Sequence, residues 1–258
     1  MWIEQEKLNI ETAGAGSGPA MLFIHGAGGE SGQWKEVMAL LSADMRVAAL
    51  DLSGHGASPR KGENHGIGTY TGDILAAVRA LGGPVALCGH SMGGALAMTV
   101  CLEHPESVAA LILANTGARL RVFPPLFDQL RADYPAAVKM MSRFAFAPGA
   151  DPQLIPAYEE RLSCVAPDTV IQDFTICNGF DIMPRLAGIQ KRTLIICCEK
   201  DQLTPPKYSN FLRDGIAGST LVQIPGRGHM SMLEAPAEFA EAVREFLSVH
   251  EIKTSPTA

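Results

Sequence analysis

The sequence lacks a surplus of positive charge and long apolar runs. Its 21 Lys and Arg stand against 27 Asp and Glu, which gives a net charge of -6. Nucleic-acid binding draws on clustered basic residues, so we expect no nucleic-acid partner. No apolar stretch reaches the roughly 18 residues that a membrane-spanning helix needs. The N-terminus has no basic start followed by an apolar run and a cleavage site. These absences predict a cytoplasmic protein without a membrane partner.

The six cysteines show neither the spacing of a disulfide framework nor that of a metal site. They are Cys88, Cys101, Cys164, Cys177, Cys197 and Cys198. No His or Cys pair lies near them at ligand spacing, so we expect no metal. Most are interpreted as small core residues in a reducing compartment.

Short apolar runs alternate with segments of helical character. The runs span residues 21–24, 47–50, 85–88, 108–113, 193–198 and 221–224, and the helical segments span residues 33–41, 73–81, 95–103 and 237–249. Runs of this length are typical of buried parallel strands. Strands alternating with helices predict an α/β fold with a doubly wound, mostly parallel sheet. The twenty residues before the first run leave room for one short hairpin.

Residues 118–188 interrupt this alternation. They contain eight of the 17 prolines and six of the ten phenylalanines. Short helices separated by prolines cannot continue a sheet but can cover one. We therefore predict a helical cap at 118–188, inserted between core segments 1–117 and 189–258. A helical subdomain without a binding role is the alternative.

A candidate nucleophile lies in the segment Gly89-His90-Ser91-Met92-Gly93, directly after an apolar run. A G-x-S-x-G segment between a strand and a helix is typical of a serine nucleophile on a sharp turn. The small glycines two positions away on either side allow such a turn. A glycine-rich turn with an incidental serine is the alternative.

The order of several motifs along the chain resembles the α/β-hydrolase superfamily, and within it the small capped serine esterases and lactonases. These motifs are His25-Gly26-Ala27-Gly28-Gly29, residues 51–58 (DLSGHGAS), the Ser91 turn, Glu199-Lys200-Asp201 and Gly228-His229-Met230. The resemblance covers nearly the whole chain outside the cap. It implies an α/β-hydrolase fold with the cap after the sixth strand.

The resemblance also implies roles for individual residues. The backbone N–H groups of Ala27 and Met92 would bind the oxyanion of an acyl-transfer reaction. His25, Gly26, Gly89 and Gly93 would support the two motifs that carry these donors. No cofactor is implied.

Among seven histidines, His229 is the candidate base. It follows an apolar run through a glycine-bracketed loop, which places it at the edge of an open α/β sheet where ligands bind. His65 is placed in a polar loop, His104 at a helix end and His250 in the last turn of the final helix.

Asp201 is the candidate acid, because it follows the apolar run 193–198 at the same sheet edge. The chain order Ser, Asp, His is the one described for this fold. Glu199 is the second choice. Asn115 occupies a position where some relatives place the acid, and it carries no carboxylate.

Three further polar residues are interpreted as structural. We predict that Asp51 ties the loop after its strand through bonds to the backbone and that His55 belongs to the same loop. We predict that Glu234 caps the final helix.

These features predict hydrolysis of a small, largely apolar carboxylic ester, with lactones or thioesters as further substrates. The absence of an aspartate in place of Ser91 disfavours dehalogenase and epoxide hydrolase chemistry. A carbon–carbon bond hydrolase, a lyase, a cofactor-free haloperoxidase-like enzyme and a slow small-molecule receptor remain alternatives. We expect a small-molecule substrate as partner, and a monomer or homodimer.

Overall fold

A computed structural model describes residues 1–16, 18–62 and 65–248. Within these residues one sheet has eight strands, in the order β1-β2-β4-β3-β5-β6-β7-β8. The strands are β1 (Trp2–Ile3), β2 (Leu8–Ala13), β3 (Met21–Ile24), β4 (Val47–Leu50), β5 (Val85–His90), β6 (Val108–Ala114), β7 (Thr193–Cys198) and β8 (Thr220–Ile224).

All pairings from β4 to β8 are parallel, which confirms the predicted sheet. The strands β1 and β2 form the short N-terminal hairpin, and β2 pairs with β4 in antiparallel register. Because the parallel strands end at one edge, the loops after β3, β5, β7 and β8 meet there.

Ten α-helices surround the sheet in the described ranges. They are α1 (Lys35–Leu41), α2 (Ile67–Ala80), α3 (Met92–Glu103), α4 (Pro124–Ala132), α5 (Tyr134–Ala145), α6 (Leu154–Ser163), α7 (Pro167–Gly179), α8 (Pro206–Gly215), α9 (Ser231–Glu234) and α10 (Pro236–Ser248). Short 3-10 helices precede α1, β6 and β7, at Ser31–Trp34, Pro105–Ser107 and Met183–Gly188.

The central strands are buried on both faces, which explains their continuous apolar runs. In β3, Leu22 and Ile24 pack into the core under α2 and α3, whereas Met21 and Phe23 pack into the core under α1 and α10. This alternation follows from the two-residue period of a strand. All six cysteines are free thiols, and Cys164 is the exposed one.

The helices α4 to α7 lie between β6 and β7 and have a small apolar core of their own. The two chain segments that connect these helices to the sheet run side by side. Leu120 N–H donates to Phe180 O at 3.3 Å, and Ile182 N–H donates to Ala118 O at 2.8 Å. We call α4 to α7 and their connections the cap. The limits 118–188 stay a prediction.

The helices differ from the sequence predictions at several places. Helix α2 begins at Ile67, six residues before the predicted start at residue 73. The prediction missed these residues because Gly68, Gly72 and two threonines among them are poor helix formers. Helix α3 begins at Met92, three residues earlier than predicted. Helix α8 was not predicted, since only Ser209 and Leu212 of its residues are buried.

Part of the final prediction cannot be compared. The predicted helix end at Val249 and the predicted place of His250 lie outside the described residues. None of the helices over the described ranges is both long and apolar enough to cross a bilayer.

Candidate active site

Ser91 lies on a sharp turn between β5 and α3. Its backbone has φ 52° and ψ -116°, a conformation that costs about 1–3 kcal/mol in a residue other than glycine. Its N–H donates to Ala114 O at 3.0 Å, and its C=O accepts from the Thr116 hydroxyl at 2.7 Å. The end of β6 and the residues after it therefore hold the strained turn in place.

Two glycines allow this turn to pack closely. A Cβ on Gly89 would lie 2.1 Å from Gly93 O, and a Cβ on Gly93 would lie 2.5 Å from Ile24 O at the end of β3. Both neighbours are backbone atoms that cannot move aside as a side chain could. Both positions therefore require glycine, as the motif predicts.

The loop after β3, residues 25–29, is fixed around the carbonyl oxygen of Gly26. We call it the β3 loop. Gly29 N–H donates to this oxygen at 3.1 Å, and His25 Nδ1 lies 2.8 Å from it. Leu52 N–H donates to His25 Nε2 at 3.1 Å, so Nδ1 carries the proton. Burial, together with the nearby His55, lowers the pKa of His25 to about 4, and the ring is neutral near pH 7.

This arrangement orients the N–H of Ala27. The N–H and C=O of a trans peptide point in opposite directions. Fixing Gly26 O on one side therefore directs Ala27 N–H to the other. Throughout residues 1–16, 18–62 and 65–248, neither Ala27 N–H nor Met92 N–H donates to a protein backbone group outside regular helices and strands. Both predicted oxyanion donors are thus available to a bound ligand.

Asp201 and His229 are hydrogen-bonded, with 2.9 Å between Asp201 Oδ2 and His229 Nδ1. Burial raises the pKa of Asp201, but the charge of His229 and hydrogen bonds from Thr204 and Asn115 outweigh it and hold this pKa well below its usual range. Asp201 therefore stays ionised and binds the Nδ1–H tautomer of His229. That tautomer leaves Nε2 free to accept a proton.

The backbone of His229 is held by the cap. Its N–H donates to Ala145 O of α5 at 2.9 Å. The preceding Gly228 N–H donates to the Glu234 carboxylate at 3.0 Å, and Ala147 N–H donates to the same carboxylate at 3.2 Å. The prediction that Glu234 caps the final helix is therefore wrong, because its carboxylate joins the His229 loop to the cap instead.

His90, next to the nucleophile, has a supporting position. Its Nε2 lies 3.0 Å from His229 O, and burial together with the neighbouring His229 lowers its pKa to about 3. The ring is therefore neutral near pH 7, and Nε2 is the donor. A Cβ on Gly26 would lie 2.9 Å from His90 Nδ1 and 3.2 Å from Ser91 Cβ. The glycine at position 26 thus brings the β3 loop against the nucleophile turn.

Other candidates for the acid lie in different positions. Asn115 Nδ2 donates to Asp201 Oδ2 at 2.9 Å, and its Oδ1 accepts from the Ser231 hydroxyl at 2.7 Å. Asn115 therefore supports the acid. Glu199 is exposed and binds Lys200 and Gly226 N–H, away from His229.

Asp51 has the backbone-tying position that was predicted for it. It accepts from Ser31 N–H at 2.6 Å and from Ala57 N–H at 2.9 Å. His65 lies in the loop before α2, as predicted, and its ring is buried against Tyr70.

Ser91, His229, Gly26 and Ala27 line one cavity of about 490 Å³. The cap supplies about half of its wall, which is predominantly apolar but includes Arg121. Its cap residues include Leu120, Val122, Phe123, Leu126, Met140, Met141, Phe144, Tyr158, Phe174 and Cys177. The volume lies within the range of small-molecule sites. Burial raises the pKa of the Cys177 thiol, so it is a poor nucleophile.

Sequence reasoning missed Asp173, a cap residue with no exposed surface. Its carboxylate accepts from Gly28 N–H of the β3 loop at 2.8 Å and from the Tyr70 hydroxyl at 2.7 Å, and it pairs with His55 Nε2 at 2.8 Å. The position of this aspartate within an apolar helix pattern was the available signal.

In the described part of the chain, no three His, Cys, Asp or Glu side chains are placed to share a metal ion.

The chain is similar to known proteins over most of its length. The model of the alpha/beta hydrolase family matches residues 21–242. The chain is 25% identical to a pimeloyl-[acyl-carrier protein] methyl ester esterase of Nitrosospira multiformis, over 94% of this chain and 98% of that one. It is 29% identical to a putative carbamate hydrolase of Variovorax paradoxus, over 93% and 96%.

A solved structure shows the same fold. The enol-lactonase of Burkholderia xenovorans superposes with a TM-score of 0.87 at 24% identity, covering 93% of this chain and 96% of that one. With the family model matching most of the chain and the fold in agreement, the chain belongs to the alpha/beta hydrolase family.

Proposed function

We propose that the chain is a serine hydrolase that cleaves small, largely apolar carboxylic esters through Ser91, His229 and Asp201. The observation that carries the proposal is the Asp201–His229 hydrogen bond beside a cavity that Ser91 also lines. The names of the two relatives, a methyl ester esterase and a putative carbamate hydrolase, support hydrolysis at a carbonyl carbon bonded to a heteroatom.

The reaction has two halves. Ser91 Oγ attacks the carbonyl carbon while His229 Nε2 takes its proton, and the N–H groups of Ala27 and Met92 bind the oxyanion. The alcohol leaves with the proton from His229. Water then attacks the acyl-enzyme with His229 as base, and the acid is released as Ser91 regains its proton.

The cavity wall favours an apolar group on the substrate. Because Leu120, Met141 and Phe174 offer no strong hydrogen bonds, binding depends on burial of apolar surface, at about 25 cal/mol per Å². Lactones and thioesters fit the same chemistry, since each presents an acyl carbon to Ser91.

Initial rates on p-nitrophenyl acetate, butyrate and octanoate test the proposal. We expect Ser91→Ala to lower kcat by about a thousandfold or more, and Ser163→Ala, an exposed serine at the end of α6, to leave it unchanged. The acyl chain length that gives the highest rate indicates how much of the cavity a substrate can occupy. Equal, feeble rates for wild type and Ser91→Ala would contradict the esterase proposal and favour a lyase or a receptor.

A further inference from the structure

We propose that Asp173 is a positioning residue for the β3 loop, so that the cap sets the geometry of the oxyanion donor Ala27. The inference rests on the proposed function, since it assigns a catalytic consequence to this loop. Asp173 itself touches no reacting atom. It acts through Gly28, the neighbour of Ala27.

Asp173 joins the cap to three separate parts of the core. It lies on α7 and accepts from Gly28 after β3, from His55 after β4 and from Tyr70 in α2. Its Oδ2 receives the first two of these hydrogen bonds and its Oδ1 the third. The carboxylate is therefore held in one orientation by groups that are far apart in sequence.

Asp173 and His55 form a fully buried pair between the cap and the core. The His55 and Asp173 side chains are both 0% exposed, and their atoms lie 2.8 Å apart. Burial lowers the pKa of His55, but the charge of Asp173 outweighs it, so this pKa is raised. A buried ion pair seldom stabilises a fold more than apolar packing would. Packing of the cap alone therefore does not explain a buried carboxylate at position 173. The need to orient the Gly28 N–H does explain it.

The hydrogen bond from Gly28 completes the control of the β3 loop. Gly26 O, with its two donors, fixes the peptide that carries Ala27 N–H. Asp173 fixes the next peptide, which carries Gly28 N–H. With both peptides held, Ala27 N–H cannot rotate away when the oxyanion forms. Gly28 has φ +64° and a Cβ there would lie 2.4 Å from Leu162 Cδ1 of α6, so the cap also packs directly on this peptide.

The test compares ligands that use the oxyanion donors with ligands that do not. Ser91 Oγ forms a bond to the carbonyl carbon of an alkyl trifluoromethyl ketone, its proton passes to His229 Nε2, and the ketone oxygen becomes an oxyanion. The methyl ketone of the same chain length binds the cavity without this step. Calorimetric affinities for both ketones, and kcat and KM on p-nitrophenyl butyrate, are measured for each variant well below its unfolding temperature.

We expect Asp173→Ala to lower kcat and the trifluoromethyl ketone affinity by about 10- to 100-fold. This is less than the loss of a whole oxyanion donor, about 10²–10³ in kcat. KM and the methyl ketone affinity should change less than about threefold. Asp173→Asn keeps an acceptor for Gly28 N–H and should recover most of the loss. Asp181→Asn changes an exposed cap carboxylate that does not contact the β3 loop, so it should bind the two ketones as wild type does.

Wild-type trifluoromethyl ketone affinity in an Asp173→Ala variant that folds would overturn the proposal. So would an equal loss for both ketones, which indicates a change of cavity shape alone. Failure of both Asp173 variants to fold would assign the residue to cap stability instead. If wild type hydrolyses no ester, the proposed function fails, while formation of the Ser91 adduct still tests the position of the β3 loop.

Discussion

Asp201 accepts hydrogen bonds at both carboxylate oxygens, and the two sets of donors differ. Its Oδ1 accepts from the backbone N–H groups of Leu203 and Thr204, each at 2.9 Å. Its Oδ2 accepts from Asn115 Nδ2, the Thr204 hydroxyl and His229 Nδ1. The orientation of the carboxylate, and with it the tautomer of His229, is therefore fixed by the surrounding donors.

Asp201→Asn should abolish most activity. Its amide oxygen would take the place of Oδ1, where two N–H groups donate, and its NH₂ group would face His229 Nδ1. The proton of His229 would then move to Nε2, where it blocks the base. We expect kcat to fall by about 10⁴-fold, measured on p-nitrophenyl butyrate. Glu199→Gln is the matched control and should keep wild-type kcat; a comparable loss in both variants would contradict the assignment of the acid.

The residues of the proposed triad could be predicted because each follows a strand of the parallel sheet at the same edge. Asp173 and Glu234 could not be predicted, because their roles depend on contacts across the cap boundary. Gly28 and Asp173 are 145 positions apart, and Ala147 and Glu234 are 87 apart. No local pattern encodes such a pairing.

At the scale of elements, the nucleophile turn depends on contact between α3 and the end of β3. Gly93→Ala should destabilise the fold by about 1–3 kcal/mol or more, since its Cβ would overlap the carbonyl oxygens of Ile24 and His25. Gly72→Ala is the control: position 72 lies exposed inside α2 with nothing within 4 Å, and alanine there should stabilise by about 0.5–1 kcal/mol. Urea unfolding of both variants measures the difference, and equal midpoints would refute the close-packing argument.

The cap and the His229 loop share the Glu234 carboxylate. Burial raises the pKa of Glu234, so its charge is itself unfavourable, but its two oxygens satisfy Gly228 N–H and Ala147 N–H. Glu234→Gln turns an NH₂ group toward one of these donors. We expect a loss of about 1–3 kcal/mol in urea unfolding and a lower kcat. Glu238→Gln, an exposed change in α10, should alter neither; an unchanged kcat in Glu234→Gln would show that the His229 loop does not need this bond.

Elements with a continuous apolar run were predictable, and those without one were not. The strands β3 to β8 are recognisable because both faces of most of them are covered. Helix α8 could not be predicted, because its buried side is narrow and the polar residues Lys207, Asn210 and Arg213 interrupt the apolar pattern. The start of α2 could not be predicted either, because its glycines disfavour a helix that is stabilised by packing against the rest of the protein.

Over the whole molecule, buried neutral histidines make stability depend on pH. The pKa of His25 is about 4 and that of His90 about 3, both below the unfolded value of 6.5. The unfolded chain therefore binds more protons as pH falls below 6.5, and stability is lost. By pH 5 each should cost about 2 kcal/mol. His55 acts in the opposite direction. Because its pKa is raised in the folded protein, the folded state binds this proton more tightly than the unfolded chain does, and His55 adds stability as the pH falls.

Urea midpoints at pH 7 and pH 5 measure this effect. The midpoint of wild type should fall on acidification, and His90→Gln should reduce the fall, because glutamine can donate to His229 O without titrating. His104→Gln, an exposed histidine at the end of α3, should show the full wild-type fall. Identical pH dependence in all three proteins would contradict the role of the buried ring at position 90.

Insertion of the cap between β6 and β7 also sets the order in which the site is completed during synthesis. The β3 loop and Ser91 are translated before the cap, and Asp201 and His229 after it. A nascent chain that ends before β7 therefore contains the proposed nucleophile Ser91 without its proposed base His229. Under the proposed mechanism, turnover therefore begins only after the last two strands have joined the sheet. A ribosome-bound chain lacking β7 and β8 has no His229 to take the Ser91 proton, so the proposed mechanism predicts that Ser91 is not acylated at that stage.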